Sequence, residues 1–377
     1  MINSKKKILF LTNIPSPYRV NFFNELGKYC DLTVLFERKD SEERDSKWNN
    51  KKINNFTGIF LKGIKRNPDG AFCPQVVKYL KRELYDVIIV GGYSTPTGML
   101  AIDYLRLKKI PFILNTDGGF IKEDNFFKKR IKKRYISSAD FWLSTGSETT
   151  KYLEHYGANS KKIFDYPFTS LFKRDILKKP NNDYDKKLLK VKLSISEDKA
   201  IVTVGQFIHR KGFDILLKAA KNISENTGIY IIGGKATPEY VELKDKLKLK
   251  NVHFVEFLTK KELNDYYEAS DLFVLPTRED IWGLVVNEAM AYGLPIITTD
   301  KCIAGLELVE DYQNGFIVPS DNPNSLALKI NEILDDSSLR KKMAENNLEK
   351  VKNYTIENMA ESHYNFFKEE YVSIRNC

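Results

Sequence analysis

The feature that most restricts how this chain can fold is a regular alternation of short apolar runs with segments of helical periodicity. Several of the runs are apolar throughout, which is typical of parallel strands covered on both faces. Strands separated by helices predict right-handed βαβ crossovers and therefore a parallel sheet. In the first half of the chain the apolar runs are KKILFLTN (6–13), DLTVLFE (31–37), TGIFLKG (57–63), YDVIIVGG (85–92), PFILNTDGG (111–119) and DFWLSTGS (140–147).

The same alternation restarts after a polar, turn-prone segment, residues 173–199, which we interpret as the connection between two domains. The chain of 377 residues is too long for one ordinary core. The pattern predicts two doubly wound α/β domains, 1–172 and 200–350, with a helical tail, 351–377, that returns to the first. The runs of the second half are AIVTVGQF (200–207), GIYIIGG (228–234), NVHFVEF (251–257), LFVLPT (272–277), PIITTD (295–300) and GFIVP (315–319).

Composition excludes several classes of protein. The four cysteines form no CxxC or CxxH pattern, which argues against a zinc site and a disulfide scaffold and suits a reducing compartment. No run approaches the roughly 18 apolar residues that span a bilayer, and the N-terminal run is too short for a signal peptide, so we expect a cytoplasmic protein. The net charge of +10 favours an anionic partner, either a phosphate-bearing ligand, a nucleic acid or an acidic membrane.

The stretch REDIWGLVVNEAMAYGLP, residues 278–295, predicts a loop and a helix after a buried strand. Free N–H groups and the helix dipole at such a helix start favour a phosphate. Asp280 before the helix and Glu288 within it are placed to accept hydrogen bonds from sugar hydroxyls on either side of a diphosphate. The alternative is that Asp280 caps the helix and Glu288 lies on the surface. The N–H groups expected at the helix start belong to Ile281, Trp282, Gly283 and Leu284.

A second strand-to-helix turn lies in TVGQFIHRKGFDILLKAAK, residues 203–221. The strand is expected to end at Gly205 and the helix to begin near Gly212, which leaves Lys211 in the turn. A charged hydrogen bond from this lysine to a phosphate would contribute roughly 1.5–3 kcal/mol. The stretch lacks the GxxxxGK[ST] pattern of a Walker loop. The alternative is a solvated basic loop.

Both stretches, together with DYQNGFIVP (311–319), resemble the retaining GT-B glycosyltransferases of family 4. The resemblance covers nearly the whole second domain and extends more weakly through the first. It implies two Rossmann-like domains facing across a cleft. It also implies a nucleotide-sugar donor held mainly by the second domain and an acceptor held by the first. No metal is expected, because lysine can neutralise the leaving group.

The resemblance also assigns roles to residues of the second domain. The family's Glu-x7-Glu motif falls on Asp280, one methylene shorter than Glu, and on Glu288, whose implied role is to hold the ribose. The lysine of the family's Lys-Gly pair falls on Lys211, a diphosphate ligand. Gln206 stands where the family commonly has an arginine after Gly205. Arg210 is the candidate for the second cation.

Three stretches of the first domain are expected to line the acceptor side. In LNTDGGF (114–120), Asp117 replaces the histidine that family members often present near the donor sugar. It is expected to stabilise positive charge at the anomeric carbon or to hold an acceptor hydroxyl; the alternative is a turn residue. In TNIPSPYRVNFFNEL (12–26), Arg19 is expected to contact an anion or the acceptor; the alternative is a plain surface residue. The other acceptor-side candidates are Tyr18, Gly92, Tyr93 and Gly118.

The segment FFKKRIKKRYI, residues 126–136, predicts a helix with Phe127, Ile131 and Tyr135 on one stripe among six basic residues. Each basic residue near an anionic bilayer contributes roughly 1 kcal/mol, so the helix is a candidate for peripheral membrane contact. A lipid-linked acceptor would agree with this. The alternative is an ordinary amphipathic helix with a solvated face. Nucleic acid is not expected, because no reading motif accompanies the charge.

The function predicted from the sequence is transfer of a hexose from a UDP-linked or other NDP-sugar to a hydroxyl of a glycan or lipid-linked saccharide. The resemblance implies retention of the anomeric configuration, and no metal is expected. The protein is expected in the cytoplasm and is a candidate for association with the inner face of the plasma membrane. Rivals of the same fold are a sugar-nucleotide 2-epimerase, which would need no acceptor, and a phosphorylase, which would need a longer chain. A non-catalytic relative that binds sugar or membrane is the alternative from another class, and donor turnover would separate it.

Overall fold

The computed structural model describes residues 5–39, 52–66 and 70–370, and the chain divides into two compact units. The first unit takes the described residues up to Thr169 and those from Thr355 onward, and the second is Ser170–Tyr354.

Within the described residues of the first unit, seven strands form a parallel sheet in the order β3-β2-β1-β6-β7-β8-β9, and β4 and β5 form a short antiparallel pair. The strands are β1 (Lys7–Thr12), β2 (Asp31–Phe36), β3 (Thr57–Phe60), β4 (Ile64–Lys65), β5 (Ala71–Phe72), β6 (Val87–Val90), β7 (Ile113–Asn115), β8 (Phe141–Ser144) and β9 (Ile163–Asp165). The helices are α1 (Pro17–Leu26), α2 (Pro96–Leu107), α3 (Phe126–Ile136) and α4 (Ser147–His155), with 3₁₀ turns at Pro74–Lys78 and Ser160–Lys162.

The second unit has a six-stranded parallel sheet in the order β12-β11-β10-β13-β14-β15. Its strands are β10 (Lys199–Val204), β11 (Thr227–Ile232), β12 (Val252–Val255), β13 (Leu272–Leu275), β14 (Ile296–Thr299) and β15 (Gly315–Val318). Its helices are α5 (Asp183–Lys192), α6 (Phe213–Ala220), α7 (Pro238–Lys246), α8 (Lys260–Ala269), α9 (Leu284–Ala291), α10 (Ile303–Leu308), α11 (Pro323–Asp335) and α12 (Ser337–Val351), with 3₁₀ turns at Lys173–Asp175 and His209–Lys211.

The predicted fold class, two doubly wound Rossmann-like parallel sheets, is confirmed. Each of the twelve apolar runs identified in the sequence contains a strand. Strands β6, β8 and β13 are buried at every position, as expected for strands covered by helices on both faces. The sequence did not indicate β9 or the β4–β5 pair, because these strands have only two or three residues each and are partly exposed.

The segment 173–199, interpreted as a connection between domains, is a packed part of the second unit. It contains α5, whose Lys186 and Lys190 lie 3.1 and 3.0 Å from the Asp271 carboxylate. Leu189 and Leu193 pack against a small apolar cluster around Tyr230. The segment reads as polar because Tyr184, Leu188 and Val191 are exposed on α5, and its buried contacts are made by only a few apolar residues and by lysines in ion pairs.

The C-terminal part of the described chain belongs to the first unit. Helix α12 ends at Val351, and α13 (Ile356–Asn365) begins after Thr355 and continues into a π turn, Phe366–Glu370. Helix α13 packs on α1, where the rings of Phe22 and His363 are 4.7 Å apart. Residues 371–377 of the predicted tail lie outside the described residues.

Each sheet has a point at which the strand order reverses. In the first sheet this point lies between β1 and β6, and in the second it lies between β10 and β13. Loops that leave neighbouring strands in opposite directions open a crevice there at the carboxyl edge of the sheet. Most candidate residues of both units follow these strands, and Asp117 and Gly118 follow β7.

Candidate active site

Lys211 and Asp280 meet at the switch point of the second sheet. Lys211 ends the 3₁₀ turn after β10, and Asp280 lies in the loop after β13. The Lys211 Nζ atom is 2.5 Å from the Asp280 Oδ2 atom, and the two side chains are 13% and 12% exposed. Residues 69 positions apart in the sequence are brought together because their strands are neighbours. The predicted phosphate-binding lysine is therefore paired with a carboxylate.

Glycine is required where the turn passes the neighbouring loop. Gly212 has φ +68°, and a Cβ atom there would lie 2.0 Å from the carbonyl oxygen of Pro276. At Gly205 a Cβ atom would lie 3.3 Å from the Lys211 Cε atom, so the glycine leaves room for the lysine side chain. The turn that carries Lys211 therefore lies close against the loop after β13, and the Lys211 side chain lies over Gly205. Gln206 follows Gly205 and is exposed.

Arg210, predicted to supply a second cation, is more exposed than Lys211. Its side chain is 45% exposed, and its Nη1 atom lies 3.9 Å from the Asp280 Oδ1 atom. The same nitrogen donates to the carbonyl oxygen of Glu279 at 2.8 Å. The structure thus places both cations beside one carboxylate, with Arg210 on the solvent side.

The start of α9 supplies hydrogen-bond donors next to this pair. Gly283 adopts φ +96° before the helix, and a Cβ atom there would lie 2.9 Å from the Cys302 Sγ atom. No described residue accepts a backbone hydrogen bond from the N–H groups of Ile281, Gly283 or Leu284. The indole of Trp282 is buried, and its Nε1 atom donates to the Asn287 Oδ1 atom at 2.8 Å. Trp282 therefore holds the loop against the helix.

Glu288 lies just over one turn into α9 and is surrounded by hydroxyl groups. It accepts hydrogen bonds from the Ser170 Oγ atom at 3.0 Å and from the Tyr267 hydroxyl at 3.3 Å. Burial raises the pKa of the Glu288 carboxyl, and the two hydrogen bonds oppose this rise. The sequence did not indicate either partner, because Ser170 is 118 positions away and Tyr267 lies in an amphipathic helix as a core residue would.

In the first unit, Arg19 and Asp117 form an ion pair at the carboxyl edge of the sheet. The Arg19 side chain is only 5% exposed and also donates to Asn115 at 3.5 Å. The rings of Tyr18 and Phe168 lie 5.6 and 5.8 Å from its guanidinium carbon. Burial lowers the pKa of Arg19, but the Asp117 charge and hydrogen bond, together with Tyr18 and Tyr166, raise the pKa above its ordinary value. Arg19 is thus a buried residue rather than a surface residue, and it holds Asp117, whose side chain is 35% exposed.

The remaining acceptor-side candidates follow β6 and β7. The Tyr93 hydroxyl is hydrogen-bonded to the Tyr152 hydroxyl of α4, and burial raises the pKa of Tyr93. Gly92 and Gly118 lie half-buried at the same edge. A Cβ atom at Gly98, in the first turn of α2, would lie 2.2 Å from the Gly92 carbonyl oxygen, so this helix starts close against the loop. These residues lie along the carboxyl edge of the first sheet, after β6 and β7.

Helix α3 carries fewer free cations than the sequence indicates. Lys128 and Lys132 lie 3.2 and 2.7 Å from Asp124, and Arg134 lies 2.7 Å from Asp103. The exposed basic residues with no ion pair to another described residue are Lys129, Arg130 and Lys133. Three apolar residues of this helix are also exposed: Phe126 at 70%, Phe127 at 75% and Ile131 at 47%.

Two features are absent within residues 5–39, 52–66 and 70–370. No three His, Cys, Asp or Glu side chains come together as a metal ion would require. No helix in these ranges is both long enough and apolar enough to cross a membrane. Cys30, Cys73 and Cys302 are buried and carry free thiols, and Cys377 lies outside the described residues.

Comparison with known proteins gives consistent matches. Residues 185–350 match the family model described as glycosyl transferases group 1. An uncharacterized glycosyltransferase of Methanocaldococcus jannaschii is 35% identical over 279 residues, which is 72% of each chain. The Staphylococcus aureus capsular polysaccharide biosynthesis glycosyltransferase CapM is 29% identical over 198 residues, so the chain spans about half of that relative's length, 51%.

Solved structures match over almost the whole chain. The crystal structure of Anabaena HepE in complex with UDP has a TM-score of 0.78 at 17% identity and covers 98% of this chain and 100% of HepE. At this identity the likeness concerns the fold, and it agrees with the two doubly wound sheets described above.

Proposed function

The chain belongs to the glycosyl transferases group 1 family, and we propose that it transfers a hexose from a nucleotide sugar to a hydroxyl of a glycan or lipid-linked saccharide. The observation that carries the proposal is the Lys211–Asp280 pair at the switch point, beside a helix start with free N–H groups. We place the reaction in the synthesis of a cell-surface polysaccharide or glycolipid, with retention of the anomeric configuration.

The leaving diphosphate is proposed to bind between Lys211 and the start of α9. The Lys211 ammonium group neutralises charge that develops as the glycosidic bond to the diphosphate breaks, which is electrostatic catalysis. The N–H groups of Ile281, Gly283 and Leu284 supply further donors, and the helix dipole favours an anion there. Arg210 adds a second cation from the solvent side. A lysine and backbone donors can perform this task without a metal.

The nucleoside is proposed to bind through Glu288. Each of its carboxylate oxygens already accepts one hydrogen bond, from Ser170 or Tyr267, and each has a second lone pair for a ribose hydroxyl. Gly205 and Gln206 flank the diphosphate on the other side. We propose uridine as the base, with support from HepE, a protein of the same fold whose crystal structure contains UDP.

Asp117 is proposed to act on the sugar or the acceptor from the first unit. Arg19 holds this carboxylate in one orientation, while its exposed side remains open to a ligand. A fixed negative charge there would stabilise positive charge at the anomeric carbon, or accept a hydrogen bond from the attacking hydroxyl. The half-buried loops with Gly92, Tyr93 and Gly118 are proposed to hold the acceptor.

Helix α3 is proposed to contact an anionic membrane at the cytoplasmic face. Phe126, Phe127 and Ile131 are exposed apolar side chains on this helix. Three unpaired cations on the same helix would contribute roughly 3 kcal/mol near an anionic surface, about half of what the sequence alone suggests. A membrane contact would bring the protein to a lipid-linked acceptor.

Titration calorimetry with UDP, GDP and ADP tests this proposal. We expect one of the nucleotides to bind the wild type and Lys211→Ala to weaken its binding tenfold or more, about 1.4 kcal/mol. Lys199→Ala is the matched control, because Lys199 is ion-paired with Asp335 at the opposite end of β10 and should leave affinity unchanged. If no nucleotide binds at millimolar concentration, the donor site is not where we place it, and a non-catalytic role is favoured.

A further inference from the structure

Arg278 precedes the Glu279-Asp280 pair, and its side chain contacts three separate segments of the second unit. Its Nη1 and Nη2 atoms donate to the two carboxylate oxygens of Asp214 at 2.7 and 2.8 Å. Its Nη1 atom also donates to the carbonyl oxygen of His209 at 2.7 Å, and its Nε atom donates to Asp321 at 2.6 Å. All three nitrogens of the guanidinium group are therefore engaged within the protein.

The backbone around Arg278 binds the same turn. The Arg278 N–H group donates to the carbonyl oxygen of Arg210 at 2.8 Å. The Thr277 hydroxyl donates to that same oxygen at 2.9 Å. The loop after β13 thus donates hydrogen bonds to two consecutive carbonyl groups, those of His209 and Arg210, which directly precede Lys211. Lys211 itself receives none of these contacts.

Arg278 and Asp214 form a strong bidentate pair of charged hydrogen bonds. The Arg278 side chain is 15% exposed and the Asp214 side chain 22%, so solvent screens the pair little. The hydrogen bonds to Asp214 raise the pKa of Arg278 above its ordinary value. Bidentate pairing fixes orientation as well as distance, and a lysine at this position could reproduce only one of the bonds.

We infer that Arg278 is a positioning residue for nucleotide binding, which holds the turn 209–211 so that the Lys211 ammonium group stays at the diphosphate site. The inference rests on the proposed function, because it assumes that Lys211 binds the diphosphate. Arg278 does not touch the ligand; it acts through Lys211. The binding effects of the two residues must therefore be coupled.

A double-mutant cycle tests this coupling. UDP dissociation constants are measured by NMR titration, which reaches millimolar values, for the wild type, Lys211→Ala, Arg278→Ala and the double variant. We expect Arg278→Ala to weaken binding about fivefold in the wild type and less than about twofold when Lys211 is absent. Arg278→Lys should fail to restore affinity. Arg340→Ala is the control, since Arg340 binds carbonyl groups at the end of α11.

Each result has one meaning. Equal weakening in both backgrounds, or no weakening, overturns the positioning role while the donor site stands. Weakening by Arg340→Ala to the same extent also overturns it, because the effect is then general destabilisation. If Arg278→Ala does not fold, Asp214→Asn and Arg278→Lys take its place in the same cycle. If the wild type does not bind UDP but Lys211 is needed for another nucleotide, the cycle is run with that nucleotide; if no nucleotide binds, the inference falls with the proposed function.

Discussion

The two members of the Lys211–Asp280 pair are expected to have opposite effects on nucleotide affinity. Asp280 holds the lysine at 2.5 Å, and both side chains are nearly buried. A diphosphate that binds Lys211 must share it with this carboxylate and lie next to a like charge. Asp280→Asn should therefore strengthen the binding of UDP, although it slows sugar transfer. Lys211→Ala should weaken binding.

The magnitude follows from the type of hydrogen bond that is exchanged. A hydrogen bond to a charged partner contributes roughly 1.5–3 kcal/mol, and one between neutral groups about 0.5–1.5 kcal/mol. The amide of Asp280→Asn thus competes with UDP for Lys211 less strongly, by about 1 kcal/mol. This corresponds to a roughly fivefold lower dissociation constant for UDP. Loss of the like charge acts in the same direction. Lys211→Ala removes the charged bond and should raise the dissociation constant at least about tenfold.

Calorimetry with UDP measures the affinities, and release of nucleoside diphosphate from the donor sugar measures turnover. Asp335→Asn is the matched control, because Asp335 forms an ion pair with Lys199 and is 77% exposed. It should change neither quantity. If Asp280→Asn weakens UDP binding as Lys211→Ala does, Asp280 does not compete with the ligand, and the reasoning is refuted.

Three further perturbations test other parts of the account. Glu288→Gln should weaken UDP binding about fivefold but leave pyrophosphate binding unchanged, since Glu288 is proposed to contact only the ribose; titration with both ligands measures this. Phe126→Ser with Phe127→Ser should reduce cosedimentation with vesicles that contain anionic lipid, because both rings are more than two-thirds exposed on the basic helix α3. His363→Phe should flatten the acid-induced loss of stability, because burial lowers the pKa of His363 to about 3. The native histidine stays neutral, while the histidine of the unfolded chain takes up a proton below pH 6.5. Lowering the pH from 7.5 to 5 should therefore reduce the free energy of unfolding of the wild type by about 2 kcal/mol more than that of the variant. Calorimetric unfolding at both pH values measures this difference.

Each of these has its own control. Weaker pyrophosphate binding by Glu288→Gln would contradict a ribose contact. Leu107→Ser, on the 78% exposed leucine at the end of α2, should not affect vesicle binding; an equal loss there would contradict a specific role for α3. An unchanged pH dependence in His363→Phe would show that His363 does not control acid stability.

The fold could be predicted from the sequence because its signal is local. Buried parallel strands need runs of apolar residues, and each run is bounded by turn residues, so the twelve main strands stand out. The edge strand β9 and the β4–β5 pair carry too few buried residues to give such a signal. The polar appearance of α5 led to its interpretation as a connection, because the ion pairs with Asp271 that hold it cannot be read from its own residues.

The candidate site could be predicted in part, since the residue types and spacings that suit a diphosphate lie within short stretches. What the sequence does not contain is the pairing across strands. The contact between Lys211 and Asp280 depends on β10 lying beside β13, and the burial of Arg19 depends on Asp117, 98 positions further along the chain. The free charge of α3 likewise depends on two acids outside the helix, Asp103 and Asp124.

The most direct test of the central claim is to incubate the protein with UDP-, GDP- and ADP-linked hexoses, alone and with a panel of alkyl glycosides, and to follow donor and product by NMR. We predict that one donor is consumed in the presence of an acceptor. The new linkage should have the anomeric configuration of the donor, and Lys211→Ala should abolish product. Inversion of configuration, epimerisation of the donor without acceptor, or no consumption of any donor would contradict the account.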